Sequence, residues 1–201
     1  MAFKRSLIVL GFIAAFVSAL NAQIQPAAYT ASAKYVGVMP TTANPDWGCP
    51  GDSPVSCWDR HLYGFEAYAG VNNVWNRIGL EADARWLAWH GVQLPSGSLK
   101  EYTYGIGPNV RIYARPRYTI SGNALVGIGS ITIPKGYGPG DGSHFMFNPA
   151  LQVEPRLTES LKLRVQYEYQ IWPSFQGSRG TRGLTPNGLG VGLTYTFQAH
   201  Y

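Results

Sequence analysis

The chain has 201 residues, enough for one domain with a real core. Charged residues make up 13% of it and aromatics another 13%, with 24 Gly and 13 Tyr; such a composition favours strands and turns over helices. The formal net charge of +5 is carried by Lys and Arg scattered singly, without a basic run, which argues against nucleic acid as a partner.

Lys4 and Arg5 precede an apolar run over residues 7–17, and small residues then offer cleavage after Ala19 or Ala22. This is the pattern of a secretory signal. The run is too short to span a bilayer comfortably, and no Cys follows it to anchor a lipid. The expected organisation is a secretory signal peptide over 1–22 and one β-barrel domain over 23–201. No other long apolar run follows, and a bilayer tolerates only helices or closed sheets. A membrane role for the exported chain therefore requires a barrel.

Residues 30–39 alternate weakly, and which face of this first strand is apolar stays open. Residues 40–60 read as a long polar loop holding Cys49 and Cys57 in the stretch CPGDSPVSC. In an exported chain such a pair is expected as a disulfide; a metal site would need more ligands, and only His61 is near. Residues 61–72 alternate clearly. Tyr63, Phe65, Ala67, Ala69 and Val71 oppose Gly64, Glu66, Tyr68, Gly70 and Asn72. After a break at 73–76, residues 77–89 set Ile78, Leu80, Ala82, Ala84 and Trp86 against Gly79, Glu81, Asp83 and Arg85.

A loop over 90–98 leads to 99–113. There Tyr102, Tyr104, Ile106, Val110 and Ile112 face away from Glu101, Thr103, Gly105, Gly107, Asn109 and Arg111. Pro108 falls on the apolar face, and because Pro cannot donate to a ladder, a bulge is expected there. A tight turn at 114–117 precedes the Gly-rich strand 118–133, and PKGYGPGDGS (134–143) is a flexible loop. Residues 144–156 alternate Phe145, Phe147, Leu151 and Val153 with Asn148, Gln152 and Glu154, and a turn follows at 157–160. Residues 161–172 set Leu161, Leu163, Val165, Tyr167, Tyr169 and Ile171 against Lys162, Arg164, Gln166, Glu168 and Gln170. A Gly/Ser/Arg loop over 173–184 leads to the final strand. In that strand Leu189, Val191, Leu193, Tyr195, Phe197, Ala199 and Tyr201 alternate with Gly, Thr, Gln198 and His200. No helix period fits it.

Eight strands of this length suit a tilted bilayer crossing, and their connections alternate long and short, as in outer-membrane barrels. The fold expected is all-β: an eight-stranded antiparallel up-and-down transmembrane β-barrel. Its rival is a secreted, soluble lipocalin-like barrel that holds a small hydrophobic ligand inside. The polar parity, the aromatics near strand ends on the apolar parity and the closing in-register aromatic favour lipid outside. The polar parity is rich in Gly and carries both charge signs: Glu66, Glu81, Asp83, Glu101, Glu154 and Glu168 with Arg85, Arg111, Lys162 and Arg164. Eight strands leave an interior just wide enough for side chains, so these residues are expected as a neutralising lumen network and not as an ion path. A midplane Arg on the lipid face costs about 2–4 kcal/mol. Val165→Arg is therefore expected to harm membrane folding more than Arg164→Gln.

The phrases LEADARWL (80–87), YGIGPNVRIY (104–113), VQYEYQIWPSF (165–175) and GLTPNGLGVGLTYTF (183–197) carry a resemblance over essentially the whole mature chain. The chain resembles the small outer-membrane β-barrel family, of the OmpA/OmpX or porin-like type. That resemblance implies the outer membrane of a diderm bacterium and a structural or adhesive role through surface loops. The expected partners are outer-membrane lipid, the barrel-insertion machinery at the terminal strand (Tyr195, Phe197, Tyr201), and an extracellular ligand met by the loops. No cofactor or metal is expected. Some eight-stranded barrels edit lipid A, and such an enzyme needs Ser, His and a carboxylate together near the outer rim. His61, His90 and His144 fall near that rim, and Asp141 and Ser143 lie beside His144. Neighbouring residues on a strand face opposite ways, however, so Ser143 and His144 are poorly placed to pair. The expectation is a protein that is not an enzyme.

Overall fold

A computed structural model describes residues 33–45, 61–89, 99–132, 142–176 and 182–197. The expected secretory segment (1–22), Cys49, Cys57, His90, Asp141, His200 and Tyr201 lie outside the described residues. Every regular element described is a strand: β1 (Lys34–Asn44), β2 (Leu62–Trp75), β3 (Ile78–Trp89), β4 (Leu99–Ala114), β5 (Tyr118–Thr132), β6 (Gly142–Pro155), β7 (Leu161–Tyr169), β8 (Trp172–Gln176), β9 (Arg182–Leu184) and β10 (Asn187–Phe197). Eight of them close into a barrel in the order β1-β10-β7-β6-β5-β4-β3-β2, and β8 and β9 form a separate pair. Each neighbour in the barrel runs antiparallel, and the first and last strands close it through pairs such as Val36↔Tyr195 and Val38↔Leu193. Closure pairs the edges that an open sheet would leave bare.

The barrel strands run from nine residues (β7) to sixteen (β4), about the length a tilted crossing needs or more. Short turns join β2 to β3, β4 to β5 and β6 to β7, all at the end where β1 begins and β10 finishes. The longer connections, including the one that carries β8 and β9, lie at the opposite end.

The sequence alternation matches the two faces of the wall. Tyr63 and Phe65 are each 60% exposed, and Ile106, Val126, Leu151, Tyr167, Leu189 and Leu193 also point outward, while Glu66, Arg85, Glu101 and Arg164 are buried. A soluble barrel would reverse that arrangement, so the lipocalin-like alternative does not fit this chain. The open question of the first strand is answered too: Tyr35, Met39, Thr41 and Ala43 turn inward, whereas Val36 and Val38 face out.

Four details differ from expectation. β1 continues through Pro40 to Asn44 where a loop was expected; Pro40 stays in register with Phe65, and its missing donor costs the ladder one bond without ending the strand. β2 runs on through 73–75, with a register shift between Val71 and Trp75, and Asn73 and Asn76 adopt positive φ (55° and 56°), which Asn tolerates better than most residues. Pro108 pairs in register with Leu80, and the bulge falls instead between Arg111 and Tyr113. The stretch 173–184, expected as a loop, holds most of the β8–β9 pair, which begins at Trp172 opposite Leu184.

Candidate functional site: the lumen and its mouth

Strands β3, β6 and β7 deliver carboxylates and guanidiniums to the same interior because inward residues recur at every second place. Towards the short-turn end, Glu81 is the hub. It accepts hydrogen bonds from Tyr35 Oη (2.6 Å), Asn123 Nδ2 (2.7 Å), Gln152 Nε2 (3.0 Å) and Asn109 Nδ2 (3.1 Å). Arg164 binds it through Nη1 at 2.9 Å and binds Glu154 through Nε at 2.8 Å. Lys162 reaches Glu154 at 3.2 Å, and Thr194 donates to the same carboxylate. The Arg164 guanidinium lies 3.9 Å from the centroid of the Tyr68 ring and 5.5 Å from that of Tyr35. Two carboxylates and two aromatic faces thus surround one cation, the geometry in which a buried guanidinium is tolerated.

Further along the barrel, Arg85 pairs with Glu101 at 2.6 Å and with Glu168, and Asn148 donates to Glu168. Gln166 donates to Glu66. Among the described residues, Glu66, Asp83 and Arg111 form no ion pair. Glu66 and Asp83 are buried among their neighbours, and Arg111 lines a polar cavity of about 40 Å³ at the short-turn end, with Asn72, Thr119, Ser121, Glu154 and Lys162.

Glycine on the inward parity makes room for the large residues of adjacent strands. A Cβ on Gly37 would collide with the Tyr68 ring, one on Gly70 with Tyr35, and one on Gly192 with Met39. The same device operates at the long-loop end, where a Cβ on Gly129 would strike Trp172. Trp172, Phe175 and Leu184 fold back from the β8–β9 pair onto Ala43, Leu62, Leu87, Ile131 and Met146, and form an apolar cluster inside the mouth. The Trp172 indole N–H is satisfied by Gln170 at 2.9 Å.

Sequence reasoning missed this cluster because Pro173 and the glycines beyond it suggested a loop. One signal was present: Trp172 has the inward parity of Lys162 to Gln170. The neutral partners Asn109, Asn123, Asn148, Gln152 and Gln166 were also missed as a set. Their parity was legible, but which carboxylate each one serves depends on register.

Among the described residues, His61 and His144 form no catalytic group with Ser143. His144 leans into the mouth against Trp172 and Phe175, with ring centroids 6.2 and 5.2 Å away, and its Nδ1 is 3.4 Å from Ser174 Oγ. Ser143 sits on the opposite, exposed face of β6. His61 packs beside Tyr63. Among the described residues, no group of three or more His, Cys, Asp or Glu could hold a metal ion.

Comparison with known proteins accords with this wall of apolar exterior and polar interior. The family model for the outer membrane protein beta-barrel domain matches residues 12–197. The chain belongs to that family. It is therefore a protein of the bacterial outer membrane, with lipid against its apolar face. Its fold is similar to that of Ail, the attachment invasion locus protein of Yersinia pestis, with TM-score 0.56 at 13% identity over 84% of this chain and 100% of that one. Neisserial surface protein A is similar as well, with TM-score 0.57 at 14% identity over 82% and 97% of the two chains. A second Ail structure, in complex with the heparin analogue sucrose octasulfate, matches with TM-score 0.55 at 16% identity over 84% and 100% of the two chains. At such identity these likenesses speak to fold alone. No curated protein matches the chain.

Proposed function

We propose that this protein is a structural and surface-contact element of the outer membrane, which works through its extracellular loops and not through its lumen. The observation that carries this reading is the filling of the interior. Arg164 with Glu81 and Glu154, Arg85 with Glu101 and Glu168, and the Trp172 cluster above them lie one after another along the axis. Together with Glu66, Asp83, Lys162 and Arg111 they act as a plug of mostly paired charges. In an eight-stranded barrel, side chains are enough to close the interior.

With the lumen closed, the long connections are left as the working surface, and an extracellular ligand would be met there. Sucrose octasulfate on Ail is one chemistry to try. The secretory segment 1–22 directs export, the terminal strand through Phe197 and Tyr201 engages the insertion machinery, and a Cys49–Cys57 bridge staples the first long loop. The reading is non-enzymatic, because Ser143 and His144 face opposite sides of β6.

Protease added to intact cells tests the assignment of the working face. Cleavage within 46–60, 90–98, 133–141 or 177–181, with the barrel strands protected, is expected. Cleavage only after the outer membrane is breached would overturn the reading.

A further inference from the structure

The periplasmic rim of this barrel has a chemistry that neither the lumen nor the loops explain. Its three short turns, residues 76–77, 115–117 and 156–160, contain Arg77, Arg115, Arg117 and Arg156 against a single acid, Glu159. All four arginines are exposed. Three of them gather on one arc, because the backbone N–H of Arg156 donates to the carbonyl of Arg117 at 2.8 Å and so holds the third turn against the second.

The bulge between Arg111 and Tyr113 supplies the rest of the arc. Without it Tyr113 would share the inward parity of Asn109 and Arg111; with it the ring turns outward, a re-aiming typical of bulges. There Tyr113 packs on Tyr118, ring centroids 5.7 Å apart. Arg115 is pinned over the pair: its Nε donates to Tyr113 Oη at 2.6 Å, and its guanidinium stands 5.4 Å from the ring centroid. Leu157, 56% exposed, continues the apolar border.

Exposed tyrosines on a barrel wall mark the headgroup level of the bilayer. Arg115 and Arg117, two and four residues beyond Tyr113, and Arg156 beside them, therefore stand at the depth of the lipid phosphates and not out in the periplasm. Guanidinium is the side chain best matched to phosphate, which it binds through two parallel N–H donors. We propose that Arg115, Arg117 and Arg156, with Tyr113 and Tyr118 as the apolar platform, form a binding site for the phosphate headgroup of an anionic phospholipid in the periplasmic leaflet. A zwitterionic lipid brings its own ammonium to the same site and is held less well.

The test is native mass spectrometry of the full folded chain, released from micelles that contain equal amounts of phosphatidylglycerol and phosphatidylcholine. The wild type should retain phosphatidylglycerol preferentially. Each Arg→Gln change among Arg115, Arg117 and Arg156 should lower that retention about fivefold, and Lys100→Gln, at the opposite rim, should leave it unchanged. Heat-dependent gel mobility checks that every variant is folded; these side chains are exposed, so folding should survive. Equal retention of the two lipids by the wild type would overturn the proposal, as would an undiminished preference in the folded triple variant. A soluble, carboxylate-bearing peptidoglycan fragment provides the last arm. If it bound as tightly as phosphatidylglycerol and lost its hold in the triple variant, the partner would be the cell wall and the lipid site would be refuted.

Discussion

Glu81 shows what the interior demands of a single residue. Its carboxylate serves Tyr35, Asn109, Asn123, Gln152 and Arg164, so its removal strands one charge and several donors together. Breaking a buried ion pair from one side costs about 3–5 kcal/mol. Glu81→Ala should accordingly lower the urea midpoint of the folded barrel by a corresponding amount, measured as loss of the compact gel band in lipid vesicles. Arg164→Gln, expected from sequence to be milder than Val165→Arg, belongs in the same class, because it leaves Glu81 facing the interior without its cation and Glu154 with Lys162 alone. Sequence parity placed all three residues on the inward face. It could not show that one guanidinium serves two carboxylates, since that depends on which residues of β3, β6 and β7 come to one level. Arg111 shared the parity and lines the polar cavity at the short-turn end beside Glu154 and Arg164, yet forms no ion pair among the described residues.

Among the elements, β8 and β9 carry the least expected contribution. Trp172 is buried against the apolar mouth and occupies the space that Gly129 leaves open. Trp172→Ala should destabilise the barrel by about 3–5 kcal/mol, the usual cost of truncating a buried Trp, readable as a lower unfolding midpoint. Gly129→Val should act in the same direction from the other side of that contact by driving the indole out of the mouth. Neither change touches the charged levels below, so both variants should remain closed to ions; steady conductance in Trp172→Ala would assign the seal to the hairpin. The eight wall strands were legible because alternation has a single period and each strand keeps it for most of its length. The hairpin was not, because five and three residues hold too little pattern to outweigh Pro173 and the glycines that follow. The bulge was misplaced for a related reason: a Pro removes one donor, which a strand absorbs, whereas the actual slip at Arg111–Tyr113 has no compositional mark.

The molecule as a whole is a wall with lipid on one side and its own side chains on the other. Val165, on the lipid face and paired with Val191 of β10, tests the outer side. Val165→Arg should cost about 2–4 kcal/mol if it lies near the midplane, and should reduce the folded fraction in vesicles more than Val165→Leu does. An equal folded fraction for the two would contradict the outward facing of β7. The inner side is tested most directly by current through single molecules in a planar bilayer. A barrel filled by the Arg164 and Arg85 pairs and capped by Trp172 predicts a flat baseline at moderate voltage, without sustained open steps, in wild-type protein that shows the compact heat-sensitive band. Long-lived, reproducible conductance steps from that same folded protein would contradict the plug and move the function from the loops into the lumen.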